Sequence, residues 1–148
     1  MVMNRTHNGP MIKGRSQGNA TVSNITFEDI QLFEVYLALT VDCVYETPGT
    51  VVPNTGVQAL AITFRNISGT VRPKRPQLLG RNDPTFLTDA SGTFFAHDAS
   101  RKIELTLTNI TLRKADPADK TPPAWLCNHS DITVRGAVEP PLSESCGG

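Results

Sequence analysis

The stretch VSNITFEDIQL, Val22 to Leu32, decides the fold, because the chain writes it again three times. The later versions are ITFRNISG (Ile62 to Gly69), LTLTNITL (Leu105 to Leu112) and a degraded ITVRGAV (Ile132 to Val138). Each starts with the period-two alternation of a strand: Ile25 and Phe27, Ile62 and Phe64, Leu105 and Leu107, Ile132 and Val134. Each then slips phase, with two polar or small residues before the next inward position at Ile30, Ile67, Ile110 or Ala137. A strict alternation cannot absorb an extra residue without turning its apolar set outward, so the chain must bend there. The residue just before that second apolar position is Asp29, Asn66, Asn109 and Gly136 in turn. These are the residue types that adopt a left-handed backbone at least cost. A recurring unit of strand, left-handed corner and strand, with the same inward residues, is a coil stacked on coils. That is a parallel β-solenoid.

Length and composition agree with one such unit. At 148 residues and 39% hydrophobic content the chain can bury one core, and residues 1–148 are expected to form a single domain. Basic and acidic residues both number 14, which favours neither nucleic acid nor an anionic membrane surface as a partner. No apolar run reaches membrane-spanning length. The start, MVMNRTHNGP, lacks the basic-then-apolar layout of a signal peptide. Two cysteines near the end and six Asn-x-Ser/Thr sequons, at Asn4, Asn19, Asn24, Asn66, Asn109 and Asn128, nevertheless fit an oxidising, secretory setting. The natural start is therefore expected upstream of Met1. Asn4, Asn19 and Asn128, in or beside loops, are the expected glycan acceptors. Asn66 and Asn109 belong to the corner pattern, where the amide serves the backbone.

Beyond Leu32, Phe33, Val35, Leu37, Leu39 and Val41 alternate with Glu34, Tyr36, Ala38 and Thr40, which predicts one continuous strand running to Tyr45. Glu46 to Gly56, Arg72 to Pro84 and Ala115 to Ala124 read as loops, and Arg72, Lys74, Arg75 and Arg81 as solvated charges. No segment has the pattern of a long amphipathic helix. The fold class is all-β. No cofactor motif is present, and His7, His97 and His129 lack metal-ligand spacing. Glu28 and Asp29 are adjacent carboxylates, but neighbouring strand residues point to opposite faces, so they do not form an acid/base pair.

The run NGPMIKGRSQGNATVSNITFEDIQL (Asn8 to Leu32) resembles the segment of polygalacturonases, family twenty-eight glycoside hydrolases, that carries their arginine-isoleucine-lysine motif. Asp42, Cys43 and Tyr45 resemble the family's next strand end, an acidic or amide residue, a glutamine and a tyrosine. Trp125, Cys127 and Cys146 resemble its ending. The resemblance implies a right-handed parallel β-helix, here incomplete at its N-terminal end, that cleaves the α-1,4-galacturonan of pectin with inversion, secreted to the cell exterior or wall and monomeric. Inversion needs two carboxyl groups flanking the scissile bond. The family takes its carboxylates from Asn-Thr-Asp and Asp-Asp motifs, supported by a His-Gly motif, all upstream of the lysine segment, and this chain contains none of the three. No catalytic residue is assigned, and the chain alone is expected to be inactive. By the same resemblance Lys13 and Tyr45 are the substrate-binding candidates. Met11 stands where the motif has arginine, so the carboxylate fork is lost. This favours an alternative, a non-catalytic solenoid that binds cell-wall polysaccharide or serves as a scaffold. Cys127 and Cys146 are the expected disulfide, closing a loop worth about 3 kcal/mol, and Cys43 is the expected buried free thiol.

Overall fold

The computed structural model describes residues 1–15, 19–45, 56–72 and 90–147. Their strands, in chain order, are β1 (Val2–Asn4), β2 (Met11–Arg15), β3 (Asn19–Val35), β4 (Leu37–Tyr45), β5 (Gly56–Val71), β6 (Ala90–Phe95), β7 (Ile103–Lys114), β8 (Ala124–Asn128) and β9 (Ser130–Glu139). The odd-numbered strands stack in order as one sheet and the even-numbered strands as a second. Every neighbouring pair is parallel. This is a parallel β-helix, in which each residue meets its counterpart one coil away rather than a distant partner.

The repeated sequence explains the register. Ile25, Ile62, Leu105 and Ile132 stack in one column, Phe27, Phe64, Leu107 and Val134 in the next, and Ile30, Ile67, Ile110 and Val138 beyond the corner. The middle members Ile62, Phe64, Leu107, Ile67 and Ile110 are fully buried. At about 1.5–3 kcal/mol for each large apolar side chain buried, these columns are the main favourable term in the fold. An aromatic series crosses the core, with Phe27 stacked on Phe64 at 5.2 Å, Phe64 tilted against Phe94 at 6.1 Å and Phe94 stacked on Trp125 at 5.9 Å. Trp125 fits because Gly92 faces it across the coil, where a Cβ would collide with the indole.

The corners adopt the left-handed backbone that their residue types predict, with φ of 55° at Asp29, 53° at Asn66, 52° at Asn109 and 72° at Gly136. They stack on one another in successive coils. The Asn66 amide donates to Asp29 Oδ1 at 3.0 Å, and the Asn109 amide donates to Asn66 Oδ1 at 3.3 Å. The column ends at Gly136, where a Cβ would strike Asn109 Oδ1.

Three details differ from the sequence reading. In the last coil the inward residue after the corner is Val138, because the register shifts between Thr108 and Ile110 and leaves Ala137 exposed. The run from Phe33 to Tyr45 is two strands in different sheets, divided at Tyr36, and not one strand. Glu34 has a left-handed φ of 51°, so Phe33 turns outward and is 46% exposed, whereas Val35 to Val41 are all buried. Arg72 is not a solvated loop charge. Its guanidinium lies 4.7 Å from the Tyr36 ring centroid and 3.6 Å from Glu34 Oε2, which also accepts from Arg5 at 2.9 Å. The remaining residues read as the 72–84 loop and most of the 46–56 loop lie outside the described residues.

The two ends of the helix are unequal. At the C-terminal end Cys127 and Cys146 are bonded, with Cα atoms 5.1 Å apart, and Trp125 Nε1 donates to Pro140 O at 2.8 Å. At the N-terminal end β1 covers only Gln31 to Phe33 of β3. Among the described residues, Asn19 to Glu28 have no strand on that side, and Val22, Ile25 and Phe27 are only half-buried.

Cys43 is a free, fully buried thiol. Burial, with the Asp42 carboxylate adding to it, pushes its pKa from 9.0 up to about 12. A thiol whose folded pKa is raised contributes stability below its unfolded pKa and loses it as pH climbs toward the folded value. Between about pH 8 and about pH 10 the protein should lose about 1 kcal/mol of unfolding free energy through this group, a loss absent from Cys43→Ala. Native Cys43 should also resist alkylation until denaturant is added. Equilibrium unfolding at both pH values and mass-spectrometric thiol counting test this pair of outcomes. For the corner column, Asn66→Gly should cost about 1 kcal/mol, the value of the amide bonds it removes. Asn66→Ala should cost about 1–2 kcal/mol more, because alanine must also hold the left-handed backbone. Chemical denaturation of both variants measures the difference.

Candidate functional site

Strand alternation on β2 sends Ile12 and Gly14 inward and Met11, Lys13 and Arg15 outward. Lys13 and Arg15 are exposed, and Met11 is half-buried. Lys13 stands in register with Asp42 of β4, and Arg15 with Tyr45. Gly14 of β2 thus opposes both Cys43 and Val44 of β4, a bulge that displaces these two from plain alternation. The Val44 amide donates to Asp42 Oδ1 at 3.0 Å and closes the bulge locally. The two substrate-binding candidates therefore belong to adjacent strands of one sheet, at the same end of those strands. Sequence reasoning missed Arg15 as a companion. Its spacing of two from Lys13 places both on one strand face, but only the bulge aligns it with Tyr45.

The outward face continues down the sheet in register. Met11, Thr40, Thr93 and Leu126 form one row, and Lys13, Asp42, Phe95 and Asn128 the next. Thr93 Oγ1 donates to Thr40 Oγ1 at 3.2 Å, and both are buried. Phe95 is half-buried outside the core cluster, and Asn128 is exposed. The first half of this face carries Lys13, Arg15 and Asp42. The second half, on β6 and β8, presents only uncharged side chains, including Ser91, Thr93, Phe95, Leu126 and Asn128.

Carboxylates elsewhere are engaged in other tasks. Glu28 is ion-paired with Arg65, and Asp29 heads the amide column, which separates these two neighbours functionally. An open depression of about 320 Å³ lies on the outer side of the long-strand sheet, lined in part by Glu104, Asp131, Thr106 and Thr133. Glu104 and Asp131 are in register there, but Lys102 holds Asp131 at 3.2 Å. Among the described residues no group of three His, Cys, Asp or Glu side chains is placed to hold a metal. His7 tilts against Tyr36 at 5.7 Å, His97 contacts Asp98 at 3.2 Å, and His129 occupies a left-handed corner with φ of 50°.

The sequons sort by what their amides do. Asn66 and Asn109 spend their nitrogens in the corner column, and Asn19 Oδ1 accepts from Arg101 at 2.6 Å. Asn4 and Asn128 are exposed at strand ends. Among the described residues no helix is long and apolar enough to cross a membrane.

Comparison with known proteins adds one positive finding. No curated protein and no solved structure matches the chain. The sequence pattern that defines Glycosyl hydrolases family 28 matches residues 1–86, a span that includes Lys13, Tyr45 and the first two corners. With more than half of its length matched and a parallel β-helix as its fold, the chain belongs to glycosyl hydrolase family 28, whose substrates are pectic polysaccharides.

Proposed function

We propose that this chain is the C-terminal portion of a secreted polygalacturonase-like hydrolase, one β-helical domain of a monomeric parent that cleaves α-1,4-galacturonan with inversion. The observation that carries this reading is the open edge of β3. The Met1 ammonium donates to Asp29 O at 2.7 Å and the Gln31 amide to Met1 O at 2.9 Å, so the parallel ladder is still running where β1 begins. Polypeptide continuing that ladder would cover Glu28 back to Asn19 and complete the burial of Val22, Ile25 and Phe27. It would also extend the second sheet above β2, beside Lys13, and carboxylates on such coils would face the sugar that Lys13 and Tyr45 hold. Lys13 acts as a point charge on a uronate carboxylate. Tyr45 contributes to the same binding surface, and neither residue supplies proton transfer.

A second reading is a non-catalytic solenoid that binds wall polysaccharide or acts structurally. Met11 favours it, because a thioether at the position of the motif arginine makes no charge-assisted bond to a sugar acid.

Residues 1–148 alone should release no reducing ends from polygalacturonate, since inverting hydrolysis requires two carboxyl groups about 6.5–9.5 Å apart across the bond. The same chain joined to its upstream coding sequence should be active, and Lys13→Ala in that longer form should raise KM about tenfold or more. Activity of the short chain would overturn the proposal. An inactive longer form that still binds polygalacturonate would select the second reading. Material secreted from a eukaryotic host should carry glycan at Asn4, Asn19 or Asn128 and none at Asn66 or Asn109, whose amide nitrogens are committed to the column. Glycopeptide mapping decides this, and glycan on Asn109 would contradict it.

A further inference from the structure

Asn24 marks a second bend that the repeat conceals. Val22 and Ile25 both pack on the core, with the exposed Ser23 and Asn24 between them, the same phase slip that makes the Asp29 corner. Asn24 holds a left-handed φ of 57°, and Ala61, beside it in the next coil, holds 52°. The chemistry of the two corners differs. In the Asp29 column the amide nitrogens of Asn66 and Asn109 each find an oxygen one coil away. Asn24 stands beside Ala61, which has no polar side-chain atom, and its own side chain has no hydrogen-bond partner among the described residues. Its amide nitrogen is therefore uncommitted, on the exposed outer face of the long-strand sheet. Asn24-Ile25-Thr26 is a glycosylation sequon, and the exposed Thr26 supplies its hydroxyl.

We propose that Asn24 is an N-glycan acceptor and that the first sugars of its glycan lie over Ala61 in the open depression of about 320 Å³. This rests on the secretory part of the reading above, and it uses a different sheet from the one that holds Lys13 and Tyr45. The depression begins at Ala61, about 4.8 Å from Asn24, the spacing of adjacent strands. The small side chain of Ala61 leaves room for a sugar ring. Further down, Thr106 and Thr133 offer hydroxyls, and Glu104 and Asp131 offer carboxylate oxygens. These groups suit the hydroxyls and amide of a neutral N-acetylated sugar. A galacturonate chain would bring its own carboxylates against Glu104 and Asp131, so charge disfavours the proposed substrate here. Asn24 also lies within the open strand edge from Asn19 to Glu28. A branched, polar glycan there obstructs the strand pairing that a bare edge invites.

The test is glycopeptide mapping of residues 1–148 expressed into the secretory pathway of a eukaryotic host behind an added signal peptide. Asn24 should be occupied on most molecules. Thr26→Val should remove that glycan while those at Asn4, Asn19 or Asn128 remain, and Thr26→Ser should keep it. Mapping of the unaltered chain decides the site even where Thr26→Val folds poorly. The amidase that cleaves the asparagine–sugar bond should release the Asn24 glycan several-fold more slowly from native than from denatured protein, because the first sugars are sheltered. An empty Asn24 beside an occupied Asn4, Asn19 or Asn128 would overturn the site while leaving the secretory reading intact. Release at equal rates would overturn the placement in the depression. Material without glycan at any sequon would sink the secretory reading, and the site with it.

Discussion

Register between successive coils is the constraint on which the rest of this molecule depends. In a parallel β-helix each side chain packs mainly on its own counterpart in the next coil, so one misplaced residue would displace every column beyond it. The corner column fixes that register at a single point in each turn. Asn66 reaches Asp29 and Asn109 reaches Asn66, so each amide reports the position of the coil before it. The left-handed backbone at these residues and the hydrogen bonds between them are one device. The bend turns the side chains along the stack, and the stack holds the bend.

This explains which parts of the fold were legible in the sequence. Left-handed corners can be read where they fall on Asp, Asn or Gly, as at Asp29, Asn66, Asn109 and Gly136. They are illegible at Arg5, Glu34, Ala61 and His129, which hold the same conformation with residue types that give no warning. Glu34 is the costly example. Its φ of 51° ends the long strand, and the arginines Arg5 and Arg72 on its carboxylate help to hold it there. From sequence alone the alternation from Phe33 to Val41 passes through that bend unmarked, because the period of two happens to continue on either side. The last coil shows the converse. Ala137 and Val138 are both apolar, and the register shift that chooses Val138 is a property of the pairing with β7.

The candidate site divides along the same line. Lys13 is a candidate through a motif, a local pattern of residue types that the sequence displays directly. The relation of Phe95 and Asn128 to Lys13 was not legible, because it exists only across strands that lie far apart in the chain, and Arg15, on the same strand as Lys13, meets Tyr45 only through the bulge. Asn128 in particular was read as a glycan acceptor from three consecutive residues, and only the stacking of β8 on β6 places it in the row with Phe95. A solenoid converts distance along the chain into neighbouring rows, so its surfaces are assembled from residues with no sequence signature in common.

The unequal ends of the helix bear on function as well as stability. A disulfide and the Trp125–Pro140 hydrogen bond close the C-terminal end, where the core columns are running out at the half-buried Ile132 and the exposed Val134. The N-terminal end has no comparable closure over Asn19 to Glu28 among the described residues. Lys13 stands at that open end, on the first strand of its sheet. A surface that binds a linear polymer gains affinity from each coil added to the row, and under the proposed function chemistry placed one coil above Lys13 would act on a sugar bound there. Under the proposed function, stacking would tie catalysis to folding. On the proposed reading, the coils that would bury Ile25 and Phe27 and the coils that would carry the acid and base are one polypeptide, which joins the completion of the core to the reaction.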